Sequence, residues 1–148
     1  MKHLKTLLLL VVAAFLITGC TTSKAYTFNV ETGDSIKVEL DTSDGHDIDS
    51  KVPFTVTKDD KTISQGSFIT IDGYNGYIAS AKSDLDVTII DEGTKDGVDY
   101  ILYKYEGNEP DYNYIIKVNN SKTGLMLGNT VSKESAKECF DHLTLTKE

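Results

Sequence analysis

An α+β domain, in which an antiparallel β-sheet carries two helices, is what three features of this sequence predict. Short stretches alternate apolar and polar residues between clusters of Gly, Asp, Asn and Ser, the pattern of half-buried strands. Consecutive strands adjoin through short turns, which makes their pairing antiparallel. Two other stretches, one after Ile71 and one after Ser132, space their apolar residues as helices do.

Tyr26–Val30 and Ile36–Leu40 alternate on either side of Glu31-Thr32-Gly33-Asp34 and read as a hairpin. Asp41–Ser50 holds Asp41, Asp44, His46, Asp47 and Asp49 around Gly45 and is a loop by composition. Pro53–Thr57 and Thr62–Ile71 form a second hairpin, turning at Lys58-Asp59-Asp60-Lys61. In Asp72–Ser83, Tyr74, Tyr77, Ile78 and Ala81 fall at i, i+3, i+4 and i+7, which predicts a helix with Asp72 as N-cap. Gly73 and Gly76 each cost about 1 kcal/mol in a helix interior, so a strand is the alternative there. Asp86–Ile90 is a short apolar strand ending in the turn-rich Asp91–Gly97.

Val98–Thr130 reads as three strands joined by turns at Gly107–Asp111 and Asn119–Gly124. Folding the first turn about Asn108 and Glu109 pairs Tyr105 with Tyr112, Tyr103 with Tyr114 and Ile101 with Ile116. Folding the second pairs Val118 with Leu125 and Ile116 with Leu127, and period two then gathers all of these on one face. Ser132 opens the second helix, whose Ala136, Cys139, Phe140 and Leu143 are spaced to dock on the sheet. Leu143–Leu145 adds a short final strand.

The first 19 residues have a different character. Lys2, His3 and Lys5 precede an apolar run, Leu7–Ile17, and the small residues Thr18 and Gly19 follow it. That order is a secretory signal peptide, and the run is shorter than the ~20 residues a bilayer crossing takes. Ile17-Thr18-Gly19-Cys20 resembles the lipobox of bacterial lipoproteins. The resemblance implies that the chain is cut before Cys20 and that the Cys20 thiol carries diacylglycerol. It divides the sequence into a leader (1–19), a lipidated cysteine with a short polar tether (20–25) and one domain (26–148). Membrane attachment on the extracytoplasmic face follows.

Charge bears on partners. The chain has 15 basic residues, all lysine, against 23 acids. Loss of Lys2 and Lys5 with the leader takes 15 to 13 and the net charge from −8 to −10. An acidic chain without a guanidinium is a poor nucleic-acid binder, and anionic headgroups repel it, so lipid must supply the membrane attachment.

The order of two hairpins, a Tyr-containing helix, a meander and a helix with a final strand is similar to the PsbP/Mog1-like fold. Gly66–Phe68, Asp72-Gly73-Tyr74, Tyr77-Ile78, Asp91-Glu92-Gly93-Thr94, Tyr103–Gly107, Thr123-Gly124 and Ser135-Ala136-Lys137 resemble small uncharacterised lipoproteins of clostridia-like Gram-positive bacteria. The resemblance brings no catalytic motif. It implies a docking or accessory role on another envelope protein.

Candidate sites are few. Asp41, Asp44, Asp47 and Asp49 offer oxygens to calcium, but their spacing departs from the EF-hand and aspartate is an ordinary turn residue. His46 and His142, in separate elements, are a weak pointer to a transition metal. Tyr105 and Tyr112, nearest a turn, are the tyrosines expected to be exposed as an interaction surface. Cys139 has no disulfide partner if Cys20 is acylated, and it is expected to be a buried apolar residue. Gly-x-Ser-x-Gly, His-Glu-x-x-His and phosphate-loop patterns do not occur. The expectation is therefore a non-enzymatic lipoprotein without a cofactor beyond its lipid, docking on an envelope protein. The alternative is a lipoprotein that captures a small molecule, glycan or calcium.

Overall fold

In the computed structural model the described residues are Thr22–Glu148, so the leader and Cys20 lie outside them. The domain is α+β, and its strands form two antiparallel sheets where the sequence suggested one. The smaller sheet has the order β1-β2-β10, with β1 at Ser23–Asn29, β2 at Ser35–Asp41 and β10 at Leu143–Lys147. The larger has seven strands in the order β3-β4-β5-β9-β8-β7-β6. These are β3 (His46–Ile48), β4 (Phe54–Lys58), β5 (Lys61–Thr70), β6 (Val87–Lys95), β7 (Val98–Tyr105), β8 (Tyr112–Val118) and β9 (Thr123–Asn129). Helix α1 (Ile71–Ser83) lies against β5, β6, β8 and β9, and α2 (Lys133–His142) lies against β5, β8, β9 and β10. Among the described residues no helix is long and apolar enough to cross a membrane.

Alternation explains the layers. Ile36, Val38 and Leu40 of β2 are fully buried while the residues between them are not, so the smaller sheet has one apolar face. That face packs with α2 onto Phe54, Val56, Leu102, Tyr114, Ile116, Leu125 and Leu127 of the larger sheet. Ala136, Cys139 and Phe140 form the buried stripe of α2, and the Phe140 ring stacks on Tyr114 at 4.2 Å and 24°. Such a pair contributes about 0.5–1.5 kcal/mol beyond the area it buries. Ile101 and Ile115 are buried on the opposite face of the larger sheet, beneath α1 and its Ala81.

Several local expectations change. β1 begins at Ser23, so the strand takes up residues read as tether. The segment Asp41–Ser50 contains a 3-10 turn (Ser43–Gly45) and then β3, whose His46 and Ile48 are buried with Asp47 exposed between them. Helix α1 is capped by Thr70, not Asp72: the Thr70 hydroxyl accepts the Gly73 N–H at 3.1 Å, and Asp72 places its charge in the first turn. β6 continues through Asp91–Lys95 after a bulge beside Ile90, and the turn shrinks to Asp96-Gly97, both with positive φ. The charged residues of Asp91–Lys95 suit an edge strand, which must not recruit further chains.

The meander keeps its three strands but not its register. Tyr103 pairs with Asn113, Leu102 with Tyr114 and Ile101 with Ile115. That is one residue from the expected pairing, so β7 is turned over and Val98 and Leu102 face the main core. Both faces of β7 are apolar, so the sequence pattern could not choose between them. β8 and β9 pair Tyr114 with Leu127 and Ile116 with Leu125, two residues from expectation, and their faces are kept.

One polar knot joins the two sheets. Asp34, buried just before β2, accepts the Lys122 N–H at 2.7 Å and the Thr123 hydroxyl at 2.8 Å on one carboxylate oxygen. Lys147 of β10 lies 3.6 Å from the other oxygen. The bonds from Thr123 and Lys122 hold the Asp34 carboxyl below the usual range. With the folded pKa depressed, its contribution to stability is present above the unfolded value near pH 4 and lost as pH falls through the folded one. Asp34→Asn is therefore expected to flatten the acid limb of the stability curve. Urea unfolding at pH 3 and pH 7 checks this, and an unchanged acid limb would remove Asp34 as its source.

Candidate functional site

Helix α1 docks with Tyr74, Ile78 and Ala81 toward the sheet, which leaves Tyr77 on the flank. Tyr77 is 47% exposed and was expected on the docked face. Tyr77 instead forms one wall of a groove of about 490 Å³ beside the β1–β2 turn. Val30, Val52, Pro53, Phe68 and Ile69 supply most of the remaining apolar wall, and Val52 is 67% exposed. Asn29, Glu31 and Thr70 make its edge polar. An open apolar strip bounded by polar groups, on an otherwise acidic chain, is the composition of a contact surface.

Tyr105 joins this surface. It is exposed and shares a shallow hollow with Tyr77 and Tyr103. Tyr112 does not. Tyr112 pairs with Lys104, one residue before Tyr105, so alternation sends Tyr105 and Tyr112 to opposite faces, and Tyr112 packs partly on the main core. Of the two tyrosines expected at an exposed surface, Tyr105 is exposed beside Tyr77, whereas Tyr112 lies on the opposite face and is half-buried.

Three of the four aspartates, Asp41, Asp47 and Asp49, are held by hydrogen bonds or an ion pair. Asp41 accepts the Ser43 N–H at 2.9 Å, which lowers its carboxyl. Asp44 occupies the 3-10 turn with φ 57°. Asp47 takes the Lys24 ammonium at 2.8 Å, and this bond holds its carboxyl low. Burial raises the Asp49 carboxyl, but bonds from the Thr55 N–H and hydroxyl outweigh it and leave the group lowered. The structure spreads these carboxylates along the loop.

It does gather the histidines. The rings of His46 from β3 and His142 from the end of α2 lie 4.1 Å apart, tilted by 30°, and Glu138 stands one helical turn before His142. Among the described residues this is the group of three metal-ligating side chains whose ligand atoms lie within 4.8 Å of one another. The sequence names both histidines but not Glu138, whose i, i+4 relation to His142 was the available signal. Cys139, next to Glu138, is fully buried, and burial pushes its thiol up to about 11, opposite to what a reactive thiol requires.

Compared with protein-family models, curated proteins and solved structures, the chain matches none.

Proposed function

We propose that this chain is a lipid-anchored extracytoplasmic protein whose domain docks, without catalysis, on another protein of the cell envelope. The order of its elements supports the PsbP/Mog1-like reading, a fold group of accessory proteins. The leader and the Cys20 lipobox support the anchor. The observation that carries docking is the groove between the β1–β2 turn and α1, where Val52 and Tyr77 are exposed and no element among the described residues covers them. The alternative, capture of a small ligand, calls for an enclosed pocket with convergent polar groups, and this groove is open and mostly apolar in its walls.

Two variants test the reading in cells. Cys20→Ala is expected to move the protein from the membrane fraction into the medium or periplasm; full retention overturns the anchor. Crosslinking in intact cells is expected to trap one dominant protein on the wild type, with yield reduced at least about 10-fold in V52K/Y77E, since loss of a central apolar anchor costs about 2 kcal/mol or more of binding. An unchanged yield overturns the groove as the docking site.

A further inference from the structure

We infer that His46, Glu138 and His142 form a binding site for one divalent transition-metal ion of the zinc type. Their ligand atoms fall within 4.8 Å of one another, drawn from a strand of the larger sheet and the last turn of α2.

The tautomers follow from the hydrogen bonds. Nδ1 of His46 is 2.9 Å from the Ser43 carbonyl oxygen, and Nδ1 of His142 is 2.9 Å from the Asp41 carbonyl oxygen. A carbonyl only accepts, so in the neutral rings each Nδ1 carries the proton and each Nε2 presents a lone pair. Metal-binding histidines are typically held this way, with the far nitrogen donating to a backbone carbonyl or carboxylate.

The His46 side chain is fully buried, and its Nε2 has no hydrogen-bond partner. A buried lone pair without a donor is costly and rare in a folded protein. Here it lies 3.9 Å from a Glu138 oxygen, a pure acceptor when ionised, so with the ring neutral neither atom can donate to the other. Helical geometry puts Glu138 and His142 on the same side of α2, four residues apart.

Lys58 supplies a donor to Glu138. Its ammonium is 2.6 Å from the same Glu138 oxygen, and this bond lowers the Glu138 carboxyl and raises the Lys58 amine. Lys58 neutralises Glu138 but makes no bond to the ring, so His46 Nε2 stays unpartnered. The ammonium competes with an ion for Glu138.

Ligand type sets the ion. Two imidazole nitrogens and one carboxylate suit Zn²⁺, Cu²⁺, Ni²⁺ or Co²⁺, whereas Ca²⁺ takes six to eight oxygens. Three protein ligands leave the fourth position of a tetrahedral ion to water.

The test uses the full chain without a histidine tag, purified in detergent, and titrates ZnCl₂ by calorimetry and CoCl₂ by visible absorption. One Zn²⁺ per chain and the visible bands of four-coordinate Co²⁺ are expected, with affinity falling on acidification because both rings must stay neutral. His142→Ala and Glu138→Gln are each expected to weaken binding by at least about 10-fold. Both positions are partly exposed, so these variants keep the question open should a change at buried His46 fail to fold. Lys58→Met is expected to tighten binding by freeing Glu138. The inference is overturned if the wild type binds neither ion, or if binding survives undiminished in both His142→Ala and Glu138→Gln.

Discussion

Phe54→Ala is expected to cost about 3–5 kcal/mol, a large share of the 5–15 kcal/mol that holds a domain of this size together. Phe54 has no exposed surface and opens β4 opposite Gly66 of β5. Its ring lies over Gly66, where any Cβ would run into it, and faces Phe28 at 5.7 Å and Phe68 at 6.0 Å. One aromatic side chain therefore touches both sheets, and removing it leaves a hole bounded by strands that cannot close on it. Gly66→Ala attacks the same contact from the other side and should cost about 1–3 kcal/mol by overpacking. The double variant should cost less than the sum, since the new methyl then enters the space vacated by the ring. Urea unfolding of the four proteins decides the matter. A Phe54→Ala cost under about 1 kcal/mol would show that the core relaxes into the gap.

Asn129→Ala is expected to cost about 2–4 kcal/mol, from polar loss and not from apolar volume. The Asn129 amide is buried at the end of β9, and both of its atoms are fully used. Its nitrogen donates to the Ser64 and Ser135 hydroxyls, each at 3.0 Å. Its oxygen accepts the Val131 and Ser132 N–H groups at 2.9 and 3.2 Å. These bonds set the approach to α2, whose own N-cap is Ser132 accepting from Ser135. Without Asn129 the cap must form on an unsupported loop. Hydrogen exchange at Val131 and Ser132 should accelerate along with the fall in Tm. A change below about 0.5 kcal/mol would mean that water replaces the amide without loss.

The legible parts of this fold are those where one physical pattern acts alone. Ser132 with Ala136, Cys139 and Phe140 predicts α2 and its buried stripe because cap and spacing agree. Lys58–Lys61 predicts its turn because Asp59 and Asp60 accept the positive φ that a two-residue hairpin needs. The illegible parts are those where two patterns are equally good. β7 is apolar on both faces, so a one-residue slip cost nothing in sequence terms and exchanged Tyr105 for its neighbour. β3 hid in a loop of aspartates because three residues are too few to show a period. The histidine cluster was legible only in part, for a third reason: residue type suggests His46 with His142, but not Glu138. His46 and Glu138 are 92 positions apart, and only the placement of β3 beside the end of α2 brings them together.

β1 begins at Ser23, three residues beyond the cysteine proposed to carry the lipid. Three residues reach at most ~10 Å, so a lipidated domain would ride against the bilayer surface with little freedom to swing. The start of β1 pairs with Asp41, whose carbonyl holds His142, which sets the histidine cluster at the N-terminal end of β1. The other end of β1 leads into the groove, and seven residues of strand separate the two by roughly 23 Å. In a lipidated chain a partner would then meet the groove no farther than roughly that strand length from the tether, with the histidines nearer the membrane end.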